Sequence, residues 1–189
     1  MAEAAASALA ETHPLDGRVV ETARGRLEVI AGRALVIATC PRSARPDADG
    51  SGSPLPPIGH VATIDERGTE ALGLGALRWL MISDPTGGAT PDDPLTTNPQ
   101  LEGVRVVDQS DGLVCLRLHG EGAVDAMRRL CRIDVDGEAL APGRCVTTVI
   151  DHLTITIVRD ADDTFRLIGP RSTADDLFHA AETALRNVG

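Results

Sequence analysis

The stretch RCVTTVIDHLTITIVRDADDTFRLIGP, residues 144–170, decides how this chain folds. Two runs, 144–150 and 153–159, are parted only by Asp151-His152, the spacing of a tight β-hairpin. Within the second run, Thr154 and Thr156 alternate with Ile155 and Ile157, as a strand with two unlike faces requires. Residues 164–168 read as one more strand, which Gly169-Pro170 ends. Ser172 or Thr173 can then cap a helix whose first turn carries Asp175 and Asp176, with Leu177, Ala181 and Leu185 as its apolar stripe.

Upstream, residues 104–108 and 113–118 are candidate strands. Gly120 precedes a helical pattern over 121–130, with Glu121 and Asp125 early and Arg128 and Arg129 late, matching the helix dipole. Ile133 and Val135 follow, and Pro142-Gly143 marks a turn. The order is β, α, then strands, then α. The expected fold is α+β: an antiparallel or mixed sheet with helices on one face, related to the ferredoxin-like plan.

The N-terminal half is more broken. Residues 1–23 read as an arm. Residues 27–39 read as two short strands, or a strand and a connection, with Gly32 at the break. The tract at 41–57 is rich in proline, glycine and small polar residues, which suits an exposed loop. A strand is expected at 58–65, a turn at Gly68 and a strand at RWLMIS, 78–83. A second punctuated tract follows at 84–99. The expected division is an arm with short strands and a loop at 1–57, a small α/β lobe at 58–105 and an α+β lobe at 106–189.

Composition narrows the function. The 189 residues include 28 acidic and 18 basic side chains, a net charge of -10, and the acidic excess is spread over both halves. No basic stripe exists for a phosphate backbone or an anionic membrane, so neither nucleic acid nor membrane is an expected partner. Every basic residue is arginine. Lysine-dependent chemistry is therefore excluded: a Schiff base, a phosphate-loop lysine or a lysine general base. Cys40, Cys115, Cys131 and Cys145 have no C-x-x-C spacing, and no secretory or membrane-spanning segment is evident, which points to a reduced cytoplasmic compartment. With no tyrosine, two phenylalanines and one tryptophan, aliphatic side chains must fill the core.

No constellation of catalytic type emerges, so no catalytic, cofactor-binding or metal-binding residue is assigned. Asp92-Asp93, Asp162-Asp163 and Asp175-Asp176 read as solvated or capping pairs, since adjacent residues do not converge on a helix. His13, His60, His119, His152 and His179 form no metal-binding pair. Gly73-x-Gly75 lacks the third glycine of a dinucleotide loop, and Gly120-x-Gly122 reads as a turn with close backbone approach. Trp79 is expected to anchor a core or an interface.

Two segments of the second half carry a resemblance: VVDQSDGLVCLRLHGEGAVDAMRRLCRIDVD at 106–136 and LAPGRCVTTVIDHLTITIVRDADDTFRLIGPRSTADDLFHAAETAL at 140–185. A fainter one is GLGALRWLMIS at 73–83. They resemble the gamma subunit of heterotetrameric sarcosine oxidase. Asp108 and Ser110 fall on that family's D-x-S start, and Gly120 and Ala123 on its helix entry. Asp134 falls on its acidic residue after the helix, and Gly143 on the glycine before the hairpin. Arg171 and Ser172 match its arginine-serine pair, and Gly75 and Trp79 its glycine and tryptophan. Ala76 and Arg78 depart from the proline and acidic residue usual there.

The layout also resembles part of the folate-binding fold of glycine cleavage T proteins. The resemblance implies a cytoplasmic, non-catalytic gamma subunit without a cofactor of its own. Its partners would be a large alpha subunit with beta and delta subunits. FAD, FMN, NAD, zinc and tetrahydrofolate would belong to those partners, in a flavoprotein complex of sarcosine catabolism that demethylates sarcosine or a related N-methyl amino acid. The alternative is a free-standing folate-binding or T-protein-like aminomethyl-transfer protein.

Overall fold

A computed structural model describes residues 14–41, 55–83 and 103–188. The strands are β1 (Val19–Thr22), β2 (Gly25–Val29), β3 (Ala34–Thr39), β4 (Val61–Thr63), β5 (Glu70–Gly75) and β6 (Arg78–Ser83). They continue with β7 (Arg105–Asp108), β8 (Leu113–His119), β9 (Arg144–Ile150), β10 (Leu153–Ala161) and β11 (Thr164–Pro170). Among the described residues, the helices are α1 (Ala123–Leu130), after β8, and α2 (Ala174–Arg186), after β11. Short 3-10 turns occupy Glu138–Leu140 and Arg171–Thr173.

The 144–170 stretch forms the expected three-stranded meander. Ile150 pairs with Leu153 across the Asp151-His152 turn, where Asp151 adopts φ 52, a left-handed conformation aspartate tolerates. β11 outlasts its expected end, because Gly169 and Pro170 still pair with Val114 and Leu113 of β8. The full first sheet has the order β1-β2-β8-β11-β10-β9, and every pair is antiparallel. The second sheet has the order β4-β5-β6-β3-β7, also antiparallel throughout.

The α+β class is therefore observed, with both helices on one face of the first sheet. The ferredoxin-like relation is not confirmed: that plan needs parallel strands joined by crossover helices, and this sheet has none. Strand pairing also crosses the expected segment boundaries. β1 and β2, from the region read as an arm and short strands, extend the sheet of the C-terminal half, whereas β7 joins the N-terminal sheet. Residues 42–54 and 84–102, which hold most of both punctuated tracts, lie outside the described residues.

Burial explains the layering. Val114, Leu116 and Leu118 of β8, Ile155 and Ile157 of β10, and Phe165 and Leu167 of β11 face the helices. There they meet Ala123, Ala126 and Met127 of α1 and Leu177, Phe178, Ala181 and Leu185 of α2. The alternate residues, Cys115, Val158 and Ile168 with Cys145 of β9, face Leu35, Leu72, Leu80 and Ile82 of the second sheet. The order is helices, first sheet, second sheet. A third apolar cluster, built around Trp79, Val36, Ala38 and Met81, lies on the outer face of the second sheet.

One local expectation changes. Thr173 does occupy the N-cap of α2, but it makes no side-chain capping bond. Its hydroxyl donates backward to the Pro170 carbonyl at 3.2 Å, because a 3-10 turn feeds directly into the helix. Gly73 and Gly75 lie in β5, where a register shift separates them. A Cβ at Gly73 would come 2.2 Å from the Pro57 carbonyl oxygen, so glycine here permits a close backbone approach.

Trp79 is a core anchor. It is 7% exposed, and its indole N–H donates to the Pro56 carbonyl at 2.8 Å, so its one polar atom is satisfied inside the cluster. Trp79→Ala is expected to lower stability by about 3–5 kcal/mol, the usual cost of emptying a large aromatic site. Urea unfolding of the variant and the parent chain measures this directly.

Candidate functional site

The most polar feature of the interior follows from strand register. On the face of the first sheet turned away from the helices, Glu28 of β2 lies opposite Arg117 of β8. Arg117 lies opposite Arg166 of β11, and Arg166 opposite Val158 of β10. A row of ionisable side chains thus runs across the sheet and under the edge of the second sheet.

Arg166 is 9% exposed. Its Nε donates to both carboxylate oxygens of Asp160, at 3.0 and 2.9 Å, and its Nη2 donates to Asp160 Oδ1 at 2.6 Å. Nη1 donates to Glu70 Oε2 at 2.5 Å. Asp160 sits where the β10–β11 register shifts, between Arg159 and Ala161. Glu70 opens β5 in the other sheet, so one guanidinium ties the two layers together. Burial alone would pull the Arg166 pKa down. The bonds from Asp160 and Glu70 outweigh that and hold it above its ordinary range.

Around this group lies an open cleft of about 380 Å³, lined by Ile30, Arg33, Gly68, Glu70, Ile82, Cys115, Arg117, Asp160 and Arg166. Burial pushes the Cys115 thiol up to about 12, against the pull of Arg166, Arg117 and Arg33. At neutral pH the cleft therefore presents a protonated thiol and arginines that cannot serve as bases. What it can do chemically is hold and orient negative charge.

The residues singled out in the sequence scatter. His13 and Asp92-Asp93 lie outside the described residues. In the β10–β11 turn, the Asp162 carbonyl accepts from Arg159 at 2.6 Å and the Asp163 carboxylate accepts from the Thr164 hydroxyl at 3.1 Å. Asp175 pairs with Arg18 at 2.5 Å, and that guanidinium also covers the Phe178 ring at 4.2 Å. His60 lies against Arg144 and the Ile58 carbonyl, His119 is 3.8 Å from Glu28, His152 is in the hairpin turn and His179 is exposed on α2. Among the described residues, no group of three or more His, Cys, Asp or Glu side chains is arranged to hold a metal ion.

All four cysteines are buried as free thiols. Burial raises the pKa of Cys40, Cys131 and Cys145, the last to about 11. The Gly120 and Gly122 amides are already spent on the carbonyls of Asp163 and Arg24, at 3.0 and 2.7 Å.

The motif residues have structural work. Asp108 Oδ1 accepts from the Ser110 amide at 2.8 Å and its hydroxyl at 2.7 Å, while Ser110 Oγ accepts from the Leu35 amide at 3.0 Å. This fastens β7 to β3. Gly143 takes φ 80 before β9, and Asp134 accepts from the Asp136 amide at 3.2 Å. Arg171 pairs with Asp111 at 3.5 Å. Sequence reading missed Arg166, Asp160 and Glu70 as a unit. The available signal was Arg166 itself, a charge between Phe165 and Leu167 in a strand with apolar positions on both faces.

No protein-family model matches this chain, and no curated protein matches it. Solved structures do. Over 87% of this chain and 85% of the other, it superposes on a chain of heterotetrameric sarcosine oxidase from Corynebacterium sp. U-96, with a TM-score of 0.70 and 24% identity. That structure is a complex with pyrrole 2-carboxylate. A second match is the glycine cleavage system aminomethyltransferase T from Bartonella henselae, with a TM-score of 0.54 and 16% identity over 82% of this chain. This chain spans only 44% of that transferase. The fold is thus one found in a sarcosine oxidase chain and in part of an aminomethyltransferase. No helix among the described residues is long and apolar enough to cross a membrane.

Two outcomes follow. Arg166→Met should cost about 3 kcal/mol, because it strands Asp160 and Glu70 between the sheets, and chemical denaturation will show it. The two Ser110 bonds hold the Asp108 carboxyl below its ordinary value. A group depressed in the folded state contributes stability above its unfolded pKa, and that contribution is lost as pH falls through the folded pKa. Stability should therefore drop with acidification below about pH 4, and Asp108→Asn should flatten that limb in pH-dependent unfolding.

Proposed function

We propose that this chain is the non-catalytic gamma subunit of a heterotetrameric sarcosine oxidase-like complex. In this reading it packs against a large alpha subunit, alongside beta and delta subunits, in the cytoplasm. FAD, FMN, NAD, zinc and tetrahydrofolate are held by those partners and none by this chain. The assembly oxidatively demethylates sarcosine or a related N-methyl amino acid.

The observation that carries the reading is the extent of the structural match. It takes in most of both chains, so the matching sarcosine oxidase chain is itself small and close to this one in length. The motif residues Asp108, Ser110, Gly143 and Trp79 add support, because each has a definite packing or turn role rather than a place around a reacting atom. The deep thiols and the ion-paired arginine of the cleft fit a chain whose task is to fold and dock. A free-standing aminomethyl-transfer protein is less well supported, since the match to the transferase is weaker, with a TM-score of 0.54 and 16% identity.

Co-expression with the genes adjacent to its own is the test. The expected outcome is a stable complex that carries flavin absorbance and oxidises sarcosine or a related amine. The chain alone should show neither property. A chain that saturably binds tetrahydrofolate by itself and joins no flavoprotein would replace this reading with the transferase one.

A further inference from the structure

Among the described residues, the Arg117 guanidinium in the cleft between the sheets makes no hydrogen bond. Arg117 stands between Glu28 and Arg166 in the cross-strand row, with its side chain 41% exposed. Among the described residues its ion-pair contact is Glu28 Oε1 at 3.6 Å, beyond hydrogen-bond distance. Glu28 is already engaged by Arg26 Nε at 3.0 Å. An arginine carries five N–H donors in a planar fork that matches a carboxylate.

Its surroundings favour an anion. Three guanidiniums, of Arg33, Arg117 and Arg166, line the cleft against two carboxylates, Glu70 and Asp160. Both carboxylates are committed to Arg166. By formal count the lining residues therefore carry one more positive than negative charge, with Glu28 beside Arg117 as its counter-charge. Low-dielectric walls concentrate such a field. Ile30 and Ile82 add apolar wall beside the arginines. The volume of about 380 Å³ falls at the lower end of the range for small-molecule sites.

We propose that this cleft binds a small aliphatic carboxylate, with Arg117 as the fork for its carboxylate group, Arg33 as a second cation at the rim, and the aliphatic body against Ile30 and Ile82. The proposal concerns this chain's own residues and stands whether or not the subunit reading holds.

Succinate is the probe, titrated into the full-length chain, or into the assembly it purifies with, at constant ionic strength against sodium chloride. The expected result is a saturable rise in melting temperature. Arg117→Gln should weaken succinate affinity about tenfold or more, the effect of losing a charge-assisted hydrogen-bonded pair. Among the described residues the Arg117 side chain makes no hydrogen bond, only the 3.6 Å ion pair with Glu28, so this variant should keep a melting temperature close to the parent's without ligand. Arg33→Gln, at an exposed position, should give a smaller weakening and serves as the second variant. A response that follows ionic strength alone, or one unchanged in Arg117→Gln, overturns the proposal. So does a succinate-inert chain whose complex with its partner is broken by Arg117→Gln, because Arg117 would then belong to a partner's carboxylate.

Discussion

The first sheet must bury both of its faces, and the rest of the structure is arranged around that requirement. Helices cover one face and a second sheet covers the other. Strands β8, β10 and β11 consequently carry apolar residues at odd and even positions alike. A charge placed in such a strand has no water to turn to and must find partners within the protein. Arg166 meets that demand by taking Asp160 from the neighbouring strand and Glu70 from the opposing sheet. The same bonds that satisfy the charge fix how the two sheets sit against each other.

A core poor in aromatic residues makes this arrangement exacting. Phe165 and Phe178 are fully buried on the helix side, and Trp79 serves the outer cluster of the second sheet. Elsewhere alanine, valine, leucine and isoleucine fill the space. Small side chains let backbones come close, and the chain exploits this. A Cβ at Gly120 would sit 2.7 Å from the Gly25 Cα, where the entry to α1 meets the start of β2. Such contacts depend on exact backbone placement, which the antiparallel register supplies.

The polar groups that remain are spent in two ways. Some tie loops to the sheets: Arg159 donates to the Val135 and Leu140 carbonyls at 2.9 and 3.3 Å, holding the segment between α1 and β9 against β10. Others line the cleft between the sheets, where guanidiniums outnumber carboxylates. The first use is structural. The second leaves a recess whose arginines and protonated thiol can hold charge but not act as bases.

Much of the local structure was legible in the sequence. The 144–159 hairpin, both helices, the RWLMIS strand and the turns at Gly68 and Pro142-Gly143 all follow from periodicity and turn residues, which act over a few positions. The α+β class followed from their order. The sequence could not show that β1 and β2 join the C-terminal sheet, that all pairs are antiparallel, or that a second sheet covers the face opposite the helices. Nor could it show that Glu70 reaches Arg166 across 96 residues of chain. Local propensity sets where a strand begins and ends. Which strand lies beside it, and which charge meets which, is decided only when distant segments compete to bury the same apolar face.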